Sequence, residues 1–109
     1  MTYQLSPDDR VLVLQTGCHS AQRLRAWAQA LPQGLLVGLG YQSAIRKARR
    51  ELADCENTLF APGSRDEIPW RDGFFTVIFD TEGGAGTPDA TKDMLRVLHP
   101  SGRIYSIQP

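Results

Sequence analysis

The pair Cys18-His19 sits in "TGCHSAQRLRAW", where an apolar run gives way to a helical pattern. A cysteine at a helix N-terminus is biased toward its thiolate, so a nucleophile is one reading of this spot. The spacing does not complete one. A cysteine loop that cradles a phosphate closes on an arginine after five residues, whereas four separate Cys18 from Arg23. The plainer reading makes Cys18 a small turn residue and His19 the cap of the next helix. His19, His99, Asp80 and Glu82 could be combined into a metal set only if one end of the fold united them. The element order below puts His99 at the opposite end, so no metal site is expected. "RKARR" (46–50) could meet nucleic-acid phosphates. Glu51 and Asp54 lie close by and no aromatic platform accompanies it, so it reads as a solvated helix face. "GGAG" (83–86) lacks the Lys-Ser/Thr that follows a phosphate loop.

The 109 residues suit a single domain, 1–109. Twelve basic side chains balance twelve acidic ones, so nothing draws the chain as a whole to nucleic acid or an anionic membrane. No apolar run approaches the roughly 18–20 residues that span a bilayer. The opening "MTYQLSPDDR" lacks the basic-then-apolar order of a signal peptide. The two cysteines, Cys18 and Cys55, form neither a metal spacing nor a disulfide framework. A cytoplasmic protein, with neither membrane nor nucleic acid as partner, is the expectation.

Five apolar runs must position these residues: 10–15, 34–40, 57–63, 74–80 and 103–108. They are continuous rather than alternating, as in strands covered on both faces. Helical patterns separate them. In 20–31, Ala21, Leu24, Trp27, Ala28 and Leu31 share a stripe, so Trp27 reads as a packing residue. In 43–53, Ser43 is the expected cap and Ile45, Ala48 and Leu52 the buried face. In 88–98, Thr87 is the expected cap, with Ala90, Met94, Val97 and Leu98 on one side. "HPSG" (99–102) is expected to stop that helix and turn the chain. Segments 62–73 and 81–87 read as loops. The order β-α-β-α-β-loop-β-α-β predicts a parallel sheet with right-handed crossovers.

"IPWRDGFFTVIFD" (68–80) and "MLRVLHPSGRIYSI" (94–107), with "VLVLQTGCHSAQ" (11–22) and "GLLVGLGYQSAIRKAR" (34–49), carry a family resemblance. In this order and spacing they resemble the class I S-adenosylmethionine-dependent methyltransferases over residues 10–108. The resemblance implies a three-layer Rossmann-like α/β core, five mainly parallel strands in order 3-2-1-4-5. The family's strands 6 and 7 and its N-terminal covering helices have no counterpart in this sequence. It implies that Trp70 packs over its loop, and that strand 5 is a sheet edge through which a homodimer or a protein partner would dock.

The resemblance also places the cofactor positions. The first-strand carboxylate falls at Val13. The three motif glycines fall at Gln15, Gly17 and His19, so two of them carry bulk where backbone would approach the cofactor. The ribose-gripping carboxylate falls at Gly40, and the one that contacts adenine at Ser64. Each lost charged partner costs about 1.5–3 kcal/mol, so losing several weakens binding by orders of magnitude. The residues left to touch S-adenosylmethionine, if it binds, are Thr16, Gly17, Gly40, Tyr41, Ser64, Arg65 and Asp80. No residue is assigned a catalytic role. The leading expectation is a methyltransferase-like pseudoenzyme: a degenerate cofactor site on a non-catalytic binding or assembly module. The rival is a small active methyltransferase working with a partner or second subunit. A third reading puts another nucleoside in the same crevice.

Overall fold

The computed structural model describes residues 4–81 and 88–107. The expected cap Thr87, the candidate metal ligand Glu82 and the glycines of 83–86 lie outside them. The elements run β1 (Arg10–Val13), a single 3-10 turn (Thr16–Cys18), α1 (Ala21–Gln29), β2 (Leu35–Gly40), α2 (Gln42–Glu51), β3 (Thr58–Pro62), β4 (Phe75–Asp80), α3 (Pro88–Val97) and β5 (Leu98–Ser106). The sheet order is β3-β2-β1-β4-β5, with every neighbouring pair parallel. This is the expected architecture.

The continuous apolar runs are explained by two cores, one on each face. Val11, Val13, Leu36, Val77 and Phe79 point to the face covered by Leu24, Ala28 and Leu31 of the α1 region and by Ile45, Ala48 and Leu52 of the α2 region. The alternate residues Leu12, Leu14, Val37, Leu39 and Ile78 point to the other face, under Met94 and Val97 of α3 and Ile68 of the β3–β4 connection. Right-handed crossovers require this split, because the path reverses direction across the sheet after β3. Phe75 and Phe79 are fully buried, each contributing about 1.5–3 kcal/mol from apolar burial. Trp27 stacks on Phe79 and Trp70 packs against Phe75, as packing residues do.

Three local expectations change. His19 does not cap α1: Ser20 is the N-cap, and its hydroxyl accepts the Arg23 N–H at 3.1 Å. Ser43 does not cap α2: the cap is Tyr41, with no side-chain bond. "HPSG" does not end an element before a strand starting at 103. β5 begins at Leu98, which pairs with Phe75 rather than completing a helix face. A register shift between Phe75 and Val77 absorbs the extra residues. Pro100 has no N–H to give a ladder, and a bulge is where a strand tolerates that. His99 Nδ1 accepts the backbone N–H of Ser101 at 3.1 Å within the same irregularity.

The outer strand β3 has its central outward carbonyl covered. Asn57 and Gly63 bond inward to β2, which leaves the Phe60 carbonyl facing outward. Arg49 covers it, donating from Nε at 3.1 Å and from Nη2 at 2.7 Å. The rest of the basic cluster, Arg46, Lys47 and Arg50, is an exposed helix face, as expected. Among the described residues no helix is long and apolar enough to cross a membrane.

Candidate functional site

In an open parallel sheet, ligands sit outside the carboxyl ends of the strands where the order reverses. Here that point lies between β1 and β4. The chain leaves β1 at Leu14 and turns at Gln15, whose φ of 58° is left-handed. A non-glycine residue pays about 1–2 kcal/mol for that conformation. The turn therefore keeps the backbone shape that glycine would favour while carrying a glutamine.

Thr16 is 2% exposed, and its hydroxyl donates to the Leu39 carbonyl at 2.9 Å, tying the turn to β2. Gly17 faces α2: a Cβ there would stand 3.0 Å from that of Ala44. Its missing side chain therefore serves the packing of turn against helix. Gly40 ends β2 buried, and a Cβ there would meet only Thr16 at 3.4 Å and beyond. A Cβ at Gly40 would therefore meet only ordinary contacts. Tyr41 next to it is 78% exposed.

After β3 the chain folds a tight turn, Ser64 to Glu67, closed by an antiparallel bridge and by the Glu67 N–H on the Ser64 carbonyl at 3.2 Å. Ser64 donates its hydroxyl to the exposed Asp66 carboxylate. Arg65 points inward instead, 6% exposed, with Nη2 2.9 Å from a carboxylate oxygen of Asp80, itself 1% exposed. Asp80 is the last residue of β4. The structure thus pairs Arg65 with Asp80, holds Thr16 and Gly40 beside the turn, and leaves Tyr41, Ser64 and Gly17 toward solvent.

His19 closes the turn from the other side. The Thr81 hydroxyl donates its single proton to the Leu14 carbonyl at 2.9 Å. The His19 Nε2 contact to the same oxygen, at 2.8 Å, must therefore be a donation from the ring. Nδ1 is then the bare nitrogen and accepts from Arg23 Nη1 at 3.4 Å. Burial, and secondarily the Arg23 charge, lower the His19 pKa to about 4. The ring is a neutral strut joining the ends of β1 and β4, with Trp27 edge-on at 5.3 Å.

A cavity of about 120 Å³ lies behind this turn, lined by Thr16, Gly17, His19, Lys47 and Glu51. Sites for nucleoside-sized ligands run about 300–1,000 Å³. A larger hollow, about 450 Å³, lies at the amino ends of the strands between Arg25, Gln29, Asp54 and Asn57, away from the crevice. Among the described residues no cluster of His, Cys, Asp or Glu could hold a metal ion.

The sequence reading missed Arg96. From α3 it donates to Asp93 at 2.7 Å, to Asp72 at 2.8 Å, and to the carbonyls of Trp70 and Ile68 at 2.8 and 2.7 Å. Its hydrogen bond to Asp93 holds that carboxyl below the usual range. This clamp joins the two stretches "IPWRDGFF" and "MLRVLHP". Their joint appearance was the available signal: an arginine in one and a run of bends in the other are two halves of one structure.

No protein-family model matches the sequence, and no curated protein does. Solved structures do match. The chain is similar to the YcgJ protein from Bacillus subtilis at TM-score 0.77 and 20% identity, covering 91% of this chain and 43% of that one. It is similar to an S-adenosylmethionine-dependent methyltransferase from Aquifex aeolicus at 0.74 and 18%, covering 87% and 53%. A third likeness, at 0.73 and 22%, is to the complex of the Haloferax volcanii Trm112 methyltransferase activator with a candidate methyltransferase, covering 92% and 45%. The chain thus spans about half the length of these neighbours. Its fold is the class I S-adenosylmethionine-dependent methyltransferase core.

Proposed function

We propose that this methyltransferase-fold domain is a non-catalytic binding or assembly module with a degenerate cofactor site. The observation that carries the reading is the carboxyl end of β2. Gly40 stands where the family's ribose-gripping carboxylate would be, buried beside Thr16. Glycine offers no charge-assisted bond to a ribose. The residues present do not fit S-adenosylmethionine as the family holds it. The glutamine at the left-handed turn position and the pairing of Asp80 with Arg65 support the same reading. The molecule acts in the cytoplasm, and its partner surface is the β5 edge, where it pairs with a second copy or another protein.

The test is a titration with S-adenosylmethionine and S-adenosylhomocysteine, read by backbone amide shifts. No shifts at about millimolar ligand are expected. Micromolar binding with shifts at 15–20, 40–41 and 63–66 would overturn the reading. A strictly monomeric protein at about millimolar concentration would count against self-pairing through β5.

A second reading is an active methyltransferase completed by another polypeptide. The Haloferax likeness, a complex with a methyltransferase activator, favours it. Cofactor binding that emerges only with a partner would establish it.

A further inference from the structure

The path of the chain between β3 and β4 makes the Arg65–Asp80 pair more than a local contact. In the order β3-β2-β1-β4, two strands separate the element that precedes Arg65 from the one that ends at Asp80. Three strand spacings amount to roughly 14 Å. An ion pair of 2.9 Å between these two residues requires backbone and side chain together to cross the carboxyl ends of β2 and β1. The Gly63 N–H on the Gly40 carbonyl, at 3.2 Å, extends the β3–β2 ladder by one rung, so the crossing starts only after Gly63. The Ser64–Glu67 turn carries Arg65 onward, and the guanidinium completes the crossing to β4. The span lies over the point where the strand order reverses, the place a nucleoside would occupy. The burial of Thr16, Arg65 and Asp80 is what a filled crevice looks like; an open one would leave them to solvent.

We propose that Arg65 is the residue that excludes a nucleoside cofactor from this crevice, a built-in occupant latched to Asp80. The proposal rests on the degenerate-site reading above and adds that the site is shut as well as stripped. The missing carboxylate at Gly40 and the guanidinium over β1 are then two separate obstacles, and restoring the first alone gains nothing.

The test compares three proteins for S-adenosylhomocysteine binding by amide shifts and calorimetry: the native chain, Gly40→Asp, and Gly40→Asp with Arg65→Ala and Asp80→Asn. The third variant removes both charges of the Arg65–Asp80 pair together, so neither is left as the unpaired partner that makes single disruptions of such a pair so damaging. Gly40→Asp alone is expected to bind no better than the native chain. The triple variant is expected to bind at least about tenfold tighter than either, with shifts at 15–20 and 40–41. A folded triple variant with no gain overturns the latch, as does a single Gly40→Asp that binds equally well. Micromolar binding by the native chain would instead sink the degenerate-site reading itself. The Arg65 Nε–H signal of the native protein gives a readout that needs no variant. It is expected to be protected from exchange and unmoved by about millimolar S-adenosylhomocysteine. A freely exchanging Arg65 overturns the latch whatever the variants do.

Discussion

Acidification should weaken the fold through His19 from about pH 6.5 downward, before the bulk of the carboxylates titrate. In the folded chain its pKa is about 4, against about 6.5 for an unperturbed histidine. The unfolded chain therefore binds the extra proton first. The stability His19 contributes is complete above about pH 6.5 and is lost as pH falls toward 4. Each unit of difference is worth about 1.4 kcal/mol, so the full gap would be about 3.5 kcal/mol. Solvent near the Arg23 side of the ring screens part of this, leaving about 2 kcal/mol. For a domain of this size that is roughly 8 °C of melting temperature. The cost is first that of charging a buried ring, and second that the added proton on Nδ1 faces the Arg23 guanidinium. The assay is thermal melting of the native chain and His19→Gln at several pH values between about 4.5 and 7. The native protein should lose about 8 °C more than the variant over that range. Two histidines are present, so the ring signals can be assigned by comparison with the variant. A gap between the two proteins that does not change with pH, or a His19 ring that titrates near 6.5 in the folded chain, would refute the reasoning.

Gln15→Gly should stabilise the chain by about 0.5 kcal/mol: relief of the left-handed backbone, about 1–2 kcal/mol, outweighs the added freedom of the unfolded chain. Chemical denaturation of the two proteins measures it, and a destabilised variant contradicts it. Gly40→Asp should cost about 1–3 kcal/mol on the same measurement, because its Cβ has room but its carboxylate enters a buried position. Gly38→Ala should cost about 1–3 kcal/mol, because its Cβ would stand 2.6 Å from both the Phe60 ring and the Thr16 hydroxyl; equal melting curves for the pair would falsify the packing argument. Arg96→Lys should release the 68–73 loop, since an ammonium cannot reproduce a fork that reaches two carboxylates and two carbonyls. Hydrogen exchange at those amides should quicken by about tenfold or more while β1 and β4 stay protected.

The layers of the fold were legible because burial on two faces leaves a plain mark: runs such as "VLVL" and "VIF" tolerate no polar residue on either side. The helix faces were legible for the same reason, with Leu24, Ala28, Ile45 and Ala48 all in the core. Caps were less so. Ser20 and His19 are adjacent candidates with extended backbone, and only the structure shows that it is the Ser20 hydroxyl that meets the Arg23 N–H. The start of β5 was hidden by Pro100 and Gly102, which read as turn residues but sit in a strand irregularity. In the candidate site, the positions at the carboxyl ends of the strands followed from element order. The partnerships did not. Nothing in "GSRDE" tells that Arg65 turns inward while Ser64 and Asp66 bond to each other, because a four-residue turn decides it. Nor does a lone Thr81 announce that it fixes which nitrogen of His19 carries the proton.

Arg49, laid over the Phe60 carbonyl, makes the β3 margin a poorer recruiting edge than a bare strand. A strand added to a sheet needs its acceptors free along the margin, and here the acceptor at the middle residue of β3 is already taken twice by one guanidinium. A copy approaching from this side would first have to displace a side chain of the fold it joins, so growth along the hydrogen-bonding axis is disfavoured there.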